Sequence, residues 1–274
     1  VYFDGGFHDG LQHPAAVGLP TGGFLVAWDS PDGQGRAVEA RPLWVRHTIS
    51  GTRLREDLSV VDYDGFELAE GGQAPALACD GDACLLAFES LRGEPAIHVH
   101  AVGVGSPPDA PSVGDNTLTF STSGPRNNPA VAHGGDGFLV MWEDGRAGGP
   151  ALFGARFDEA GLLVASDAGG VELVDGSARR TRPEVIFDGT DYRMVWTDGR
   201  ADEATIQLAT VDPETLAVSD QDIAIDDPSA AQVESRIAAL GNDQVLVVGT
   251  SSNDIARARR RAASRWLDGM AISL

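Results

Sequence analysis

The chain has 274 residues, a formal net charge of −21 and 42% hydrophobic residues, and arginine is its only basic residue apart from histidine. This apolar content allows a sizeable core, whereas so negative a field repels nucleic acid and anionic membrane surfaces. No stretch approaches the ~20 apolar residues of a membrane-spanning helix, so we expect neither a nucleic-acid partner nor membrane insertion.

One apolar stretch recurs along the chain. It reads GFLVAWDS at 23–30, ACLLAFES at 83–90, GFLVMWED at 137–144, DYRMVWTD at 191–198 and DQVLVVGT at 243–250. Successive copies start 60, 54, 54 and 52 residues apart. A period of this length predicts a repeat architecture in which neighbouring units share one core.

Each unit contains signals for four short strands. A first strand begins at or near a proline, as in HPAAVG and NPAVAH, and a Gly/Asp turn leads to the apolar stretch. Third strands such as ALFGARFDEAG and fourth strands such as GVELVDG complete the unit. We therefore predict an all-β fold, a five-bladed β-propeller with four antiparallel strands per blade. Two packed β-sandwiches are the alternative, but they leave the period unexplained.

The chain ends suggest how the propeller closes. After the fifth third-strand region, which we place near SRWLDG, the chain ends at MAISL without an evident fourth strand. We predict that Val1 to Phe3 complete the last blade and remove the exposed sheet edges. The expected domain is 1–274, with blades at about 11–68, 72–120, 126–174, 180–226 and 233–274 plus 1–6. The first residue, Val1, suggests that an upstream segment has been removed.

The units resemble a repeat of secreted bacterial β-propeller proteins. The shared pattern is P-x-V-A, then G-x-x-F-L-V-x-W-x-D-x-R, then G-A-R-x-D-x-x-G, and blades three and four match it best. The resemblance implies architecture and no activity. The recurring aromatics Trp28, Phe88, Trp142 and Trp196 are interpreted as packing between blades.

Two cysteines, Cys79 and Cys84, flank a four-residue Asp-Gly turn in CDGDAC. Cysteines on either side of such a turn can approach to disulfide distance, so we predict a bridge. A disulfide favours an oxidising compartment, and we expect a secreted or cell-surface protein.

Departures from the repeat are the best candidates for function. The residue near the start of the first strand differs in every blade, being His13, Ala74, Asn128, Arg182 and Ser235 in turn, and our candidates among them are His13, Asn128 and Arg182. We predict that these residues bind a ligand at the mouth of the propeller. Asp144 and Asp198, which end two second strands beside Arg146 and Arg200, are further candidates, although a repeated Asp-x-Arg pair also suits a loop clamp.

An enzymatic alternative uses carboxylates. Five-bladed propellers include arabinanase-like and invertase-like glycosidases, which place three carboxylates on the inner strands of successive blades. Here Asp29, Glu89 and Glu143 come from three consecutive blades but lie on second strands, and Glu184 is the only nearby inner-strand acid. A glycosidase requires two carboxyls at a defined separation, roughly 5–10 Å.

Metal signals are weak. His98 and His100 in IHVH lie on one side of a strand and could begin a metal site, but no adjacent residue supplies a third ligand. Acidic turns at Asp80 and after Asp29 could hold calcium, without the spacing of an EF-hand. We expect no cofactor, with calcium as the open alternative.

The sequence therefore predicts a monomeric, secreted or surface-exposed binding module for an extracellular glycan or protein. The alternatives are a carbohydrate-active enzyme and a non-catalytic scaffold domain of a larger surface protein.

Overall fold

The computed structural model describes residues 12–19, 22–30, 47–81, 83–91, 96–105, 112–114, 124–146, 148–176, 179–200, 203–225, 232–241, 244–251, 255–262, 265–268 and 272–273. Apart from one 3-10 turn at Ala165–Asp167, the regular structure in these ranges is β-strand. Within the same ranges, no helix is both long and apolar enough to cross a lipid bilayer.

The chain divides into two compact units, Val1–Thr117 and Leu118–Leu274. The first unit contains two four-stranded antiparallel sheets. Sheet one consists of β1 (Gln12–Gly18), β2 (Phe24–Ser30), β3 (Thr48–Leu54) and β4 (Phe66–Glu70). Sheet two consists of β5 (Gly72–Asp80), β6 (Ala83–Ser90), β7 (Ile97–Gly103) and β8 (Ser112–Val113). In each sheet, strands that follow one another in the sequence are neighbours.

The second unit contains three sheets whose first four strands are neighbours in sequence order, and the last of these sheets has a fifth strand. Sheet three consists of β9 (Arg126–Gly134), β10 (Gly137–Asp144), β11 (Ala151–Asp158) and β12 (Val171–Val174). Sheet four consists of β13 (Arg179–Phe187), β14 (Tyr192–Arg200), β15 (Glu203–Val211) and β16 (Val218–Ile225). Sheet five consists of β17 (Gln232–Gly241), β18 (Gln244–Ser251), β19 (Ile255–Ala262), β20 (Arg265–Asp268) and β21 (Ile272–Ser273).

The fifth sheet differs from the sequence prediction. Its third strand is β19, upstream of the predicted SRWLDG segment, and that segment forms β20. Both β20 and β21 pair with β19. C-terminal residues therefore occupy the fourth-strand position of this sheet, for which the sequence showed no evident strand after the third. The predicted strand at Val1 to Phe3 lies outside the described residues, and closure by it remains a prediction.

The second strands β6 and β10 are among the most buried elements because side chains on both of their faces meet other residues. Every residue of β10 is buried, whereas buried positions alternate along β2. Gly137 begins β10 where a Cβ atom would lie 2.1 Å from the carbonyl oxygen of Phe157. Only glycine permits this close approach of two backbones at the turn.

Apolar side chains from adjacent sheets form the cores of each unit. Between sheets three and four the core includes Met141, Leu173 and Trp196, and between sheets one and two it includes Ile49 and Phe88. Phe88, Trp142 and Trp196 are at most 2% exposed, which confirms their interpretation as core residues, whereas Trp28 is half-buried. Burial of large aromatics is a major source of stability in such cores.

Tyr192 links sheet four to sheet three by a buried hydrogen bond. Its hydroxyl donates to the carbonyl oxygen of Gly134 over 2.8 Å. Burial raises the pKa of Tyr192 to about 12, so the hydroxyl keeps its proton and remains a donor.

An arginine on the third strand ties sheet one to sheet two. Arg53 Nε and Nη2 donate to the two carboxylate oxygens of Asp62, at 2.9 and 2.8 Å. Arg53 Nη1 donates to the carbonyl oxygen of Val104, directly after β7 of the next sheet, at 2.9 Å. The planar guanidinium thus joins a loop of its own sheet to the backbone of its neighbour.

The same arrangement recurs in the second unit. Arg156 Nε and Nη2 donate to Asp167 at 2.8 and 2.9 Å, and Arg156 Nη1 donates to the carbonyl oxygen of Glu214 between β15 and β16 of sheet four. Burial alone would raise the pKa of Asp167, but the hydrogen bonds from Arg156 outweigh it and lower that pKa. These arginines explain the Arg of the G-A-R-x-D pattern, for which the sequence suggested no role.

The predicted disulfide is confirmed. Cys79 and Cys84 face each other across the β5–β6 hairpin and are joined by a bridge, with their Cα atoms 4.0 Å apart. The bridge therefore fixes the register of a hairpin that the turn has already closed.

Candidate functional site

The first strands of four sheets begin with the same unusual backbone. His13, Ala74, Asn128 and Arg182 have φ angles of 47°, 50°, 50° and 56°. Each precedes a proline and lies where the pairing with the second strand shifts register. A left-handed conformation costs a non-glycine residue about 1–2 kcal/mol, so a specific interaction must hold these bulges in place.

For Ala74 and Arg182, a carboxylate from the preceding sheet supplies that interaction. The backbone N–H of Ala74 donates to Asp29 Oδ1 over 3.3 Å, and the backbone N–H of Arg182 donates to Glu143 Oε1 over 2.6 Å. In each case the acid ends a second strand and the N–H begins the first strand of the next sheet. We call this contact the inter-sheet latch.

The same acids also bind side chains of their own sheets. His13 Nδ1 lies 2.9 Å from Asp29 Oδ1, and Asn128 Nδ2 donates to Glu143 Oε1 over 2.6 Å. In sheet two, Gln73 Nε2 donates to Glu89 Oε2 over 2.7 Å. A carboxylate accepts several hydrogen bonds at once, which suits it to join two strands here.

The three acids of the enzymatic alternative are thus structural neighbours of the bulges. Asp29, Glu89 and Glu143 are 0%, 8% and 7% exposed, respectively. Each serves its own sheet, and two of them hold the latch to the next sheet. Their burial and bonding leave little of each carboxylate open to a substrate.

Asp144, a predicted ligand-binding residue, is fully buried at the end of β10. It accepts hydrogen bonds from Arg126 Nε at 3.1 Å, from Trp142 Nε1 at 3.0 Å, and from the backbone and guanidinium of Arg146. Burial alone would raise the pKa of Asp144, but the bonds from Arg146 and Trp142 outweigh it and lower that pKa. The Arg146 guanidinium also covers the Phe153 ring, 4.2 Å from its centroid. Asp144 is therefore a loop clamp.

Asp198 occupies the corresponding place in sheet four and is 1% exposed. Its carboxylate Oδ2 lies 3.7 Å from Arg180 Nε, a longer contact than the one between Arg126 and Asp144. Trp196 Nε1 has no hydrogen-bond partner among the described residues, unlike Trp142 Nε1. The contact between this aspartate and the arginine of its first strand is therefore longer in sheet four, and neither aspartate is exposed to a ligand.

An open row of polar side chains crosses the first strands of the second unit. It consists of Asn128 on β9, Arg182 and Glu184 on β13, and Arg236 on β17. These strands contact one another in the order β9, β13, β17. Arg182 is exposed, and Asn128 is half-buried. Arg236 Nη1 lies 2.9 Å from Glu184 Oε1, and the two side chains are 68% and 34% exposed, respectively. We call these four residues the polar row.

His98 and His100 lie on one side of β7, as predicted, but both pack against Phe88. Their ring centroids lie 5.4 and 4.9 Å from that of Phe88, and His100 Nδ1 lies 3.4 Å from the carbonyl oxygen of Leu68. Among the described residues, no group of three or more His, Cys, Asp or Glu side chains is placed to hold a metal ion. The acidic turn that follows Asp29 lies outside the described residues.

The sequence pointed to the polar residues but missed what holds them. The two latch contacts join residues that are 45 and 39 positions apart in the sequence, and the bulge is the backbone feature that marks them. A signal was nevertheless present, because an acid follows the repeated aromatic in blades one, two and three, and the first strand of each following blade carries a proline.

Comparison with solved structures identifies the fold. The chain is similar to an α-L-arabinofuranosidase from Lactobacillus brevis, with a TM-score of 0.56, 11% identity, and 89% and 85% of the two chains covered. An exo-1,5-α-L-arabinanase from a bovine ruminal metagenomic library matches with a TM-score of 0.55, 8% identity and coverage of 95% and 96%. A GH43 endo-arabinanase from Bacillus licheniformis matches with a TM-score of 0.50, 9% identity and coverage of 93% and 94%.

These likenesses show that the chain has the five-bladed β-propeller fold, with a four-stranded antiparallel sheet as each blade. In sequence, the chain matches no protein-family model and no curated protein. At such low identity the structural likeness establishes the fold alone.

Proposed function

We propose that this protein binds an extracellular carbohydrate through the polar row. The observation that carries the proposal is the set of Arg182, Glu184 and Arg236 on adjacent first strands, in which both arginines are exposed and Glu184 is half-buried. Sugars are recognised by planar amide, carboxylate and guanidinium groups that hydrogen-bond neighbouring hydroxyls. The row offers all three kinds of group on strands rather than on loops.

Preorganisation supports the same proposal. The left-handed residues Asn128 and Arg182 sit in bulges, and one carboxylate, Glu143, binds both of them. Strained backbone that surrounding bonds hold in place is typical of binding sites, because it presents side chains in a fixed geometry. Because this backbone is already ordered, binding of a ligand to the row does not carry the entropy cost of ordering it.

The carbohydrate class is chosen from the structural neighbours. Proteins of the same fold include an α-L-arabinofuranosidase and arabinanases, so oligosaccharides of 1,5-α-L-arabinan are the first ligands to test. A fold hosts many functions, and it is the polar row that motivates a sugar ligand.

The experiment is calorimetric titration of the protein with 1,5-α-L-arabinan oligosaccharides. We expect Arg182→Ala/Arg236→Ala to weaken binding about tenfold or more, since it removes two charged donors. Arg179→Ala is the matched control, because it removes an exposed arginine of β13 outside the row and should leave the affinity within about twofold. Equal affinities of wild type and the double variant would overturn the proposal.

A carbohydrate-active enzyme is the second candidate, and the identity of the neighbours favours it. Within the row, Glu184 is the carboxyl group that a substrate could reach, since it is 34% exposed. Hydrolysis requires a second carboxyl group at roughly 5–10 Å from it. If the protein releases reducing ends from the oligosaccharides, and Glu184→Gln abolishes this release while it retains binding, the enzymatic function is supported. Binding without release of reducing ends supports the binding module.

We also propose that the protein is secreted or displayed at the cell surface as a monomer. The Cys79–Cys84 bridge supports an oxidising compartment. Thiol trapping of the protein from its native source should find both cysteines oxidised, and free thiols would contradict this location.

A further inference from the structure

A threonine replaces the latch acid where sheet four meets sheet five. Thr197 occupies the position in β14 that Glu143 occupies in β10, since each directly follows the repeated tryptophan. In the backbone pairing, Glu143 lies opposite Asn127 and Thr197 lies opposite Thr181, each one residue before the left-handed residue of the first strand. The two positions are therefore equivalent, but a threonine has no carboxyl group to offer the next sheet.

Ser235 lies on the other side of this junction. It is the fourth residue of β17, just as Arg182, whose backbone N–H binds Glu143, is the fourth residue of β13. Strands β14 and β17 contact each other, as β10 and β13 do. The position that the Glu143 carboxyl group fills between sheets three and four therefore corresponds to the space beside Thr197 and Ser235 between sheets four and five.

Two buried hydroxyl groups meet at this junction. Thr197 is 7% exposed and Ser235 is 1% exposed. Neither Thr197 Oγ1 nor Ser235 Oγ has a hydrogen-bond partner among the described residues. Buried polar atoms of native proteins are normally hydrogen-bonded, and each exception calls for an explanation. A ligand that accepts hydrogen bonds from both hydroxyl groups supplies one.

The surrounding groups favour a carboxylate as that ligand. In sheet three, Glu143 accepts a hydrogen bond from the side-chain amide of Asn128 on its own first strand. In sheet four the equivalent first-strand residue is Arg182, which is exposed and permanently charged. Two hydroxyl donors and a guanidinium match the acceptor oxygens of one carboxylate, and bonds between ionised partners are stronger than those to a neutral hydroxyl.

We propose that Thr197, Ser235 and Arg182 bind the carboxylate of an acidic carbohydrate, namely an oligosaccharide of uronic acid residues. The ligand thereby supplies the carboxylate that Glu143 supplies one sheet earlier. Because both hydroxyl groups are buried, binding includes rotation of the side chains that cover them, a common change at binding surfaces. The choice of a sugar as carrier rests on the proposed function, whereas the choice of a carboxylate does not.

Trigalacturonic acid and its methyl ester are the matched probes, and calorimetric titration at about pH 7 compares them, because an ordinary carboxyl group is ionised there. We expect the acid to bind at least about tenfold more tightly, since the ester forms no charge-assisted bonds. The net charge of −21 repels anions in general, so such a preference reports a local site. Equal affinities, or tighter binding of the ester, would overturn the proposal.

Two substitutions test the residues themselves. Thr197→Val and Ser235→Ala each remove one hydroxyl donor, so each should weaken binding of the acid about three- to tenfold and leave the affinity for the ester within about twofold. Thr190→Val is the matched control, because Thr190 is exposed in the turn before β14, at the opposite end of that strand from Thr197. If water alone binds these hydroxyl groups, both variants keep the wild-type affinity for the acid, and the assignment is overturned.

Thr197→Glu provides a second, independent test, because it copies the acid of sheet three into sheet four. Its carboxyl group should occupy the position proposed for the ligand and repel a second carboxylate. We expect the preference for the acid over the ester to fall below about twofold in this variant. A preference of tenfold or more that persists in folded Thr197→Glu would overturn the proposal.

Failure of this inference differs from failure of the proposed function. If arabinan oligosaccharides or the methyl ester bind, and Arg182→Ala/Arg236→Ala loses that binding, but the acid binds no more tightly, the polar row stands and the carboxylate site falls. If the wild type binds none of these sugars, the proposed function and the acidic-sugar site both fall.

Discussion

Removal of the Glu143 carboxylate should cost much of the stability of the second unit. Glu143→Ala leaves the backbone N–H of Arg182 and the amide of Asn128 without their acceptor, at bonds that are now 2.6 Å long. A hydrogen bond to a charged group contributes about 1.5–3 kcal/mol. Because Asn128 is only half-buried and can turn to water, we expect a total loss of about 2–4 kcal/mol.

Thr197 provides the matched control, because it follows Trp196 as Glu143 follows Trp142. Its hydroxyl is buried and has no hydrogen-bond partner among the described residues. Thr197→Val should therefore change the free energy of unfolding by less than about 0.5 kcal/mol, or raise it. Urea unfolding followed by tryptophan fluorescence measures both variants. Equal effects of the two substitutions would refute the latch.

Three further outcomes follow from the same contacts. Because the pKa of Asp167 is lowered in the folded protein, its carboxylate stays charged at pH values at which an unfolded carboxyl, with a pKa of about 3.9, is protonated. The contribution of Asp167 to the free energy of unfolding is therefore complete above pH ~3.9 and is lost as the pH falls through the folded pKa. Asp167→Asn should make the free energy of unfolding depend less steeply on pH in the acid range. Leu58 has a φ of 64° and is 57% exposed, so Leu58→Gly should relieve backbone strain and raise the free energy of unfolding by up to about 1 kcal/mol. Leu216 has a φ of 58° but is 3% exposed, so Leu216→Gly should lower the free energy of unfolding because it removes a buried side chain. Chemical denaturation measures both variants. Reduction of the Cys79–Cys84 bridge should cost at most about 2 kcal/mol, because the loop it closes is short, and a larger shift in the urea midpoint would contradict this.

Local sequence patterns predicted the parts of the fold that repeat. The apolar stretches became second strands, and Phe88, Trp142 and Trp196 became core residues, because burial demands the same residue types in each sheet. The Cys79–Cys84 bridge followed from a turn of four residues between the cysteines.

Long-range and non-repeating features could not be predicted in this way. The latch between Asp29 and Ala74 depends on a left-handed residue before a proline, a conformation that local preference disfavours. The pairing of Arg156 with Glu214 joins positions 58 residues apart. In the fifth sheet, the apolar signal was too weak to separate β19 from β20.

Candidate site residues divided according to burial, which composition does not reveal. Asp144 and Asp198 resemble exposed loop acids in the sequence, yet the structure buries both beside arginines. Arg182 and His13, in contrast, occupy exposed positions on strained backbone. The difference arises because the acids end second strands, whereas the other two residues begin first strands.

A crystal structure of the protein soaked with 1,5-α-L-arabinan oligosaccharides tests the central claim most directly. We predict sugar density in hydrogen-bonding contact with Arg182, Glu184 and Arg236. Density elsewhere on the protein, with the Glu184–Arg236 pair untouched, would contradict the assignment of the polar row as the binding site.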